Sequence, residues 1–349
     1  MSPLAAAGAW RRAASRPGWP EAALAVAVIG VVALGTLAPL ALVALTAATL
    51  VVAALTRRPF LIAASLIVLM GNVKVNFYLG FFSTPPFPGQ PKNYVGLDQY
   101  KDVLTSSEFL DSLKVTVIFA VITVPVGIAL GILLAVLAHQ KLKGVAIYRA
   151  FFSSTVATSI AVASVIFGTL LSPQVGLLQG IQTEPSILQN PDPIINISLP
   201  VIRSFIPSVA LTAVAVTTIW QNLGLSFILM SAGLQAVPDE LQEAAEIDGA
   251  GPWRRFWNVT MPLLSPTIFF AFVVGSIFAF QTFGQIDLLT PRGGPLKTTN
   301  VLTYYIYDQL QFSKNDGKAA VLAIALFGVT LLLTLIQFQF LERRVSYER

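Results

Sequence analysis

Residues 243–251 of this chain read EAAEIDGAG, and residues 252–263 continue as PWRRFWNVTMPL. This polar segment lies between two long apolar runs, where acidic and basic side chains are otherwise scarce. A solvated loop between capped helices is one explanation of such a segment. A docking element for a partner protein is the other.

Helix signals define the expected local structure of this segment. Pro238 suits the first turn of a helix because its missing N–H would be unpaired there in any case. The positive end of the helix dipole favours the acidic side chains that follow at Asp239, Glu240 and Glu243. Gly249 is placed to end this helix, and Gly251-Pro252 turns the chain into a second short helix that runs to about Thr260. The sequence therefore predicts helix, tight turn and helix.

The composition places the chain among integral membrane proteins. Of its 349 residues, 55% are hydrophobic and 11% are charged, whereas soluble domains carry about 25% charged residues. Cysteine is absent, which excludes a disulfide framework, a thiolate metal site and a cysteine nucleophile. The net charge of +5 comes from short basic clusters beside apolar runs, a pattern of membrane orientation rather than of nucleic-acid binding.

Apolar stretches long enough to cross a bilayer set the architecture, since a span needs about 20 apolar residues. The sequence provides six of them: Leu61–Phe82, Leu113–Ala138, Arg149–Leu171, Ile202–Ala232, Leu264–Leu289 and Ala319–Leu341. Before them, residues 22–55 carry no charge, and at about 1.5 Å per residue this run is too long for one straight span. We predict a hairpin that turns near Gly35–Pro39, with a single long tilted helix as the alternative. The predicted fold is an all-α polytopic membrane protein of about eight helices.

The sequence predicts two parts. Residues 1–58 hold a cytoplasmic tail and the N-terminal hairpin, and residues 59–349 hold a six-helix core with a cytoplasmic loop at 237–262. Basic residues support this orientation, because thirteen of the 22 fall at the proposed cytoplasmic ends. Both termini are then cytoplasmic, and the external segments are Ser83–Ser112, Ser172–Val201 and Thr290–Lys318.

Enzyme chemistry finds little support in the sequence. No P-loop of the form Gly-x4-Gly-Lys-Ser/Thr occurs, so the chain is not itself an ATPase of that class. Its single histidine, His139, has no second His or Cys with which to share a metal. Paired carboxylates at a catalytic spacing are missing as well. No catalytic residue and no metal ligand is therefore predicted.

Ion-coupled transport is a competing function, and it would leave ionisable side chains inside the spans. The interiors of the predicted spans are nearly free of them, Lys74 being the exception. Lys74 either snorkels to the outer interface or contacts an anionic or polyhydroxyl substrate. An ion-coupled carrier and a membrane scaffold without transport stay as alternatives.

The polar segment resembles the EAA loop of permease subunits in type I ATP-binding-cassette importers. The motif is Glu-Ala-Ala, then Asp-Gly-Ala, then Met261-Pro262 where Leu-Pro is usual. The resemblance runs from about Leu61 to the C-terminus and is greatest to the maltose and glycerol-3-phosphate permeases. In that family the two short helices dock into a cleft of the ATPase, with the Gly as their hinge. The resemblance implies that ATPase coupling belongs to Glu243, Ala244, Ala245, Asp248, Gly249, Ala250 and Pro262.

The resemblance also implies the other subunits of the importer. This subunit would pair with a second homologous permease and with two ATP-binding cassette subunits in the inner membrane of a prokaryote. An external substrate-binding (lipo)protein would deliver a small carbohydrate or polyol phosphate. No cofactor is expected on this chain, since ATP and Mg belong to the partner ATPase subunits, and no nucleic acid is expected as a partner.

Candidate substrate contacts lie on the helices that flank the loop. Gly275, Phe278, Thr282 and Gln285 recur at i, i+3, i+7 and i+10, which is one helical face. Resemblance to the maltose permease adds Ala279 and places Asn222 at another cavity position. Ala279 and Thr282 replace larger amide side chains there, which argues against a maltose-type site, and hydrogen bonding between helices explains the same residues. The predicted cavity set is Asn222, Gly275, Phe278, Ala279, Thr282, Gln285 and Lys74.

Overall fold

A computed structural model describes residues 78–85, 90, 93–139, 144–172, 176, 186–195 and 205–341. The chain divides into two compact units, residues 1–79 and 80–349, and the second unit contains the elements described below. Several sequence-based predictions lie outside the described residues: the hairpin at 22–55, the division between residues 58 and 59, Lys74 and most of the span Leu61–Phe82.

Helices dominate the described unit. Two short strands, β1 (Phe82–Ser83) and β2 (Asn93–Tyr94), pair antiparallel ahead of them. The helices follow in chain order as α1 Asp98–Leu104, α2 Ser107–His139, α3 Val145–Ser154, α4 Ile160–Leu170, α5 Val209–Gln235, α6 Asp239–Ile247, α7 Pro252–Arg255, α8 Met261–Phe280, α9 Gly284–Leu289, α10 Leu302–Gln311 and α11 Asp316–Leu341. Among the described residues, α2, α5, the run from α7 through α8, and α11 are long and apolar enough to cross a membrane.

Two predicted spans coincide with helices, and a third is described from residue 205 onward. Leu113–Ala138 lies within α2, and Ala319–Leu341 lies within α11. Residues 202–204 of the span predicted at Ile202–Ala232 lie outside the described residues, and α5 carries the rest of it from Val209 onward. The hydroxyl of Ser208 accepts a hydrogen bond from the Leu211 N–H at 3.1 Å, which caps the new helix.

The span predicted at Arg149–Leu171 contains a sharp bend. Helix α3 and the 3-10 turn after it, Thr155–Ala157, meet α4 at an angle of 104°. Ser159 adopts extended backbone angles, and its hydroxyl accepts the N–H of Val162. Serine and threonine in this stretch therefore start a new helix instead of continuing the old one.

The span predicted at Leu264–Leu289 is shifted along the chain. Helical backbone begins at Pro252, passes through a π-helical turn at Phe256–Thr260 and continues as α8 to Phe280. Pro262 has no N–H to donate to the preceding turn, and the wider π turn just before it accommodates that loss. The second helix of the polar segment thus runs directly into the span.

The most extensive packing between described helices joins α2 to α5. A Cβ on Gly131 would lie 2.8 Å from Cβ of Ser226 and 3.0 Å from its carbonyl carbon, so only glycine permits this approach. Small residues of this kind let membrane helices pack tightly. Phe119, Phe227 and Met230 are fully or almost fully buried in the core that α2, α5 and α8 share. This core fixes the walls of the groove described below.

Hydrogen bonds lock both ends of α2. At the end nearest α3, the Arg149 guanidinium donates to the carbonyl of Ala138 at 2.8 Å, satisfying one of the unpaired carbonyls of the helix terminus. At the other end, the Thr116 hydroxyl accepts the N–H of Leu302 at 2.8 Å, which ties α10 to α2. We call the bundle end that carries residues 238–260 the loop end and the opposite end the far end.

Candidate functional site

The polar loop, residues 238–260, has the helix–turn–helix form that the sequence predicts. Pro238 takes the cap position, one residue before the first turn expected for it, and α6 ends at Ile247. Gly249 follows in the left-handed conformation with φ of +77° and donates to the Glu246 carbonyl at 3.0 Å, while Ala250 donates to the Ala245 carbonyl at 2.9 Å. These two bonds form a Schellman motif. The prediction that Gly249 ends the helix is confirmed.

Side-chain contacts join the two helices of the polar loop. Glu246 on α6 forms an ion pair with Arg255 on α7. The amide of Gln242 donates to the Thr260 hydroxyl at 2.9 Å. An exposed ion pair contributes only about 0–1 kcal/mol, so these contacts fix the mutual orientation of the helices more than they stabilise the fold.

The polar loop presents apolar side chains on its surface. Ile247 is 87% exposed, Trp253 is 74% exposed and Leu241 is 44% exposed. Large apolar side chains held this far out into solvent are typical of sites of protein or membrane interaction. Glu243, Ala244, Asp248 and Gly249 are exposed and Ala245 and Ala250 half-buried. Of the seven predicted coupling residues only Pro262 lies outside the polar loop, at the start of α8.

A central groove lies between α2, α5 and α8. It encloses about 50 Å³ and brings together four of the predicted cavity residues: Asn222, Gly275, Phe278 and Ala279. Sequence reasoning missed the polar and small residues that complete its lining: Thr123, Gly127, Thr218 and Ser226. A signal for them existed, because Thr218, Asn222 and Ser226 recur every fourth residue along one face of α5.

The groove offers hydroxyl, amide and aromatic groups. The hydroxyls of Thr123 and Thr218 donate to carbonyls of their own helices at 2.8 and 2.9 Å, which leaves their acceptor lone pairs for another group. Asn222 is exposed, and its amide has no hydrogen bond among the described residues. The Phe278 ring is 48% exposed beside it. Such a surface can hydrogen-bond the hydroxyls of a solute and pack an aromatic face against its C–H groups.

Thr282 and Gln285 do not share a helical face with Gly275 and Phe278, so that prediction was wrong. Helix α8 ends at Phe280, and α9 begins at Gly284. The Thr282 hydroxyl donates back to the Phe278 carbonyl at 3.1 Å. The buried Gln285 amide donates to Oε1 of Gln221 at 2.7 Å, so this side chain links α9 to α5 and does not line the groove.

A braced loop with strained backbone lies at the far end, at residues 290–300. Arg292, Leu296 and Lys297 adopt positive φ angles of 59°, 50° and 59°, which cost non-glycine residues free energy. The Tyr304 hydroxyl accepts the N–H of Arg292 at 2.8 Å, and the Thr299 hydroxyl donates to that of Thr290 at 2.9 Å. Leu296 is 86% exposed despite this bracing. The fold therefore holds an apolar side chain outward at this end.

A cavity of about 700 Å³ adjoins this loop. Its charged lining residues are Glu108, Asp111, Lys114, Asp192 and Lys297. Glu108 lies 3.8 Å from the Lys297 ammonium and accepts a hydrogen bond from the Tyr305 hydroxyl at 2.8 Å. Burial first, and then this hydrogen bond, raises the pKa of Tyr305 above its ordinary value.

The sequence that contains the polar loop and the groove matches a protein family. Residues 104–347 fit the model of the binding-protein-dependent transport system inner membrane component. The chain belongs to this family. It is a permease subunit of an ATP-binding-cassette importer and not an enzyme, and the ATPase of such importers is a separate subunit.

Curated relatives cover most of the permease. It is 37% identical over 260 residues to the sn-glycerol-3-phosphate transport system permease protein UgpA of Agrobacterium fabrum, covering 74% of this chain and 84% of the relative. It is 34% identical over 271 residues to UgpA of Rhizobium meliloti, covering 77% and 88% of the two chains. The resemblance inferred from the EAA motif is thereby confirmed, and the permease is a multi-pass inner-membrane protein of a bacterial importer.

A solved structure supports the fold. The permease superposes with a TM-score of 0.65 on a bacterial alginate ABC transporter in complex with alginate pentasaccharide-bound periplasmic protein. This comparison covers 86% of the permease and 96% of the other chain, at 20% sequence identity. The predicted all-α polytopic permease fold is confirmed, and neither an ion-coupled carrier nor a scaffold without transport is favoured.

Proposed function

We propose that the central groove is this subunit's share of the path of a small polyhydroxyl solute. The observation that carries the proposal is the set of polar and aromatic groups at Asn222, Phe278 and the two threonines in the middle of a membrane bundle. Exposed amides within spans face a partner helix or a water-filled path rather than lipid. A second homologous permease closes the path from the other side.

The substrate class is a small carbohydrate or a polyol phosphate. Relatives named as glycerol-3-phosphate permeases support the second, whereas the described lining of the groove has no charged side chain. A phosphate dianion in a low-dielectric path requires a nearby cation. The groove alone suits the hydroxyl part of such a solute, and the cation would come from the second permease. Binding assays on the external binding protein with both solute classes decide between them.

The polar loop is the proposed coupling element. Its exposed residues Glu243, Ala244 and Ile247 enter a cleft on one of two ATP-binding cassette subunits, which bind ATP and Mg. Closure of the cassettes draws the loops of the two permeases together and turns the groove from inward-facing to outward-facing. The Schellman turn and the Glu246–Arg255 ion pair support this proposal, because they let the loop move as one body.

The external binding protein is proposed to dock at the far end. The braced loop holds Leu296 outward next to the 700 Å³ cavity, and rigid apolar anchors beside charged surface suit recognition of a protein lobe.

The Asn222 amide in the central groove is expected to contribute to transport. Asn222→Ala removes an amide that would bond the solute, at a cost of about 1–3 kcal/mol, so uptake falls roughly fivefold or more. Uptake into vesicles that contain the complete importer measures this, normalised to folded complex. Thr282→Val is the matched control, since its hydroxyl bonds only the Phe278 carbonyl among the described residues. Unchanged uptake and apparent affinity in Asn222→Ala would move the solute path elsewhere.

The proposed orientation places the loop end and both termini in the cytoplasm. Because the chain contains no cysteine, single cysteines can be introduced without background from this subunit. In sealed right-side-out vesicles, an impermeant thiol reagent should label Leu296→Cys from outside and reach Ile247→Cys only after permeabilisation. Both positions are more than 80% exposed in the subunit, and the vesicles contain the permease without the cassette subunits, which would otherwise cover Ile247. The reverse labelling pattern would show that the permease has the opposite orientation in the membrane.

A further inference from the structure

A second groove, distinct from the central one, lies beside the polar loop. The tryptophan groove encloses about 460 Å³ between α2 and the start of the α7–α8 run. Its lining is entirely apolar: Ala129, Ile132, Leu133, Val136, Pro252, Trp253, Phe256, Trp257 and Met261. Trp253 is 74% exposed, Trp257 is 48% exposed, and their rings meet edge to face at 5.7 Å. An open apolar surface of this kind requires an occupant.

The depth of the tryptophan groove matches the edge of the bilayer. Its α2 residues, from Ala129 to Val136, lie three to ten residues before the helix ends at His139. At about 1.5 Å per residue, this is roughly 5–15 Å from the loop end of the helix. Tryptophan side chains concentrate at this depth, where headgroups meet acyl chains. The groove therefore opens where a phospholipid is present.

The charge beside the groove indicates which phospholipid fits. Arg254 lies in the chain between the lining residues Trp253 and Phe256, and it is exposed. The next residue, Arg255, is paired with Glu246, whereas no carboxylate pairs with Arg254 among the described residues. A cation next to an apolar groove at the membrane face complements a lipid with an acidic headgroup, and the cytoplasmic leaflet is rich in such lipids.

We propose that the tryptophan groove binds an anionic phospholipid of the cytoplasmic leaflet. One acyl chain lies between α2 and the two tryptophan rings, and the headgroup phosphate lies at the Arg254 guanidinium. Because α7 is the second helix of the polar loop, the bound lipid holds the loop against α2 and so bears on coupling. The assignment to this leaflet rests on the proposed orientation of the permease.

Fluorescence quenching by brominated lipids tests the site. The complete importer is reconstituted in vesicles that contain brominated phosphatidylglycerol or brominated phosphatidylcholine in an unbrominated phosphatidylcholine background. The difference in emission between the natural permease and the Trp253→Phe/Trp257→Phe variant isolates the groove. We expect half-quenching at an about fivefold lower fraction of phosphatidylglycerol than of phosphatidylcholine, the factor given by about 1 kcal/mol for one arginine.

Two arginine variants separate a specific site from general contact with lipid. Arg254→Gln should remove the preference for phosphatidylglycerol, while Arg255→Gln, in which the substituted side chain is ion-paired, should keep it. Equal quenching by the two lipids in the natural permease would overturn the proposal. Absence of quenching would also overturn it, since a protein segment would then cover the groove. Uptake in the same vesicles tests the proposed function separately, because an importer that transports without lipid preference contradicts only the lipid site.

Discussion

Glu243→Lys is expected to reduce substrate uptake at least tenfold, while the subunit still inserts in the membrane. Glu243 is exposed on α6, so its replacement disturbs no buried contact of the permease. A reversed charge in the proposed docking surface opposes the approach of the ATPase, and like charges in a contact cost several kcal/mol. Uptake and substrate-stimulated ATP hydrolysis by the reconstituted importer measure the effect, with membrane content of the subunit as reference.

Glu240→Lys is the matched control. Glu240 lies one turn earlier on the same exposed helix and is also acidic, so the change of net charge is the same and the helix-dipole penalty at least as large. It stands outside the EAA motif, and its uptake should stay near normal. Equal losses of uptake in both variants, or normal uptake in Glu243→Lys, would contradict the proposal that Glu243 docks on the ATPase.

Substitutions at Gly249 test the same docking assignment by changing the backbone conformation of the polar loop. Its φ of +77° costs an ordinary L-residue about 1–2 kcal/mol, although nothing lies within 4 Å of a Cβ there. Gly249→Asp should therefore impair coupling through both strain and charge. Gly249→Asn tolerates the left-handed conformation better and should retain more uptake. A reversed order would mean that the turn geometry does not matter.

Replacing Gly127 or Gly131 by valine is expected to have two different effects: the first should reduce uptake, and the second should reduce stability. Gly127 lines the central groove, and nothing lies within 4 Å of a Cβ at this position. Gly127→Val should fill the path and reduce uptake at least tenfold while the complex folds normally. Gly131→Val drives a side chain into Ser226 of α5, and overpacking of this kind costs about 1–3 kcal/mol. Its first effect should be a lower thermal midpoint and a lower yield of assembled complex.

Gly328→Val serves as the neutral reference, because Gly328 is exposed on α11 and a Cβ there meets nothing within 4 Å. Thermal unfolding of the purified importer and uptake per folded complex are measured for all three variants. Normal uptake in Gly127→Val would show that the groove is not on the solute path. Normal stability in Gly131→Val would show that the close approach of α2 to α5 at this position is not needed for folding.

The polar loop was the part most fully predictable from the sequence. Proline before the acidic turn, glycine at the end of α6 and Gly251-Pro252 before α7 act within a few residues of themselves, so their effect does not depend on the rest of the fold. The long apolar helices α2 and α11 were predictable for the same reason. Hydrophobic length is a local property.

Other features depend on contacts that a sequence pattern does not contain. The serine and threonine residues before α4 are compatible with a continuous helix or with a new cap, and the structure selects the cap. The face from Gly275 to Gln285 required an unbroken helix, but the chain leaves α8 at Phe280 and Gln285 pairs with Gln221, 64 positions earlier. Only the tertiary structure identifies such a partner.

The sequence by itself determined the membrane class, the helix–turn–helix of the polar loop and the family motif, because these arise from composition and from neighbours in the chain. Tertiary structure alone decided that Thr123 and Gly127 of α2 share a groove with Asn222 of α5. It also decided that Trp253 faces α2 across an open apolar groove. The physical reason is that helix packing, set by close approaches such as Gly131 to Ser226, determines which faces of distant segments meet.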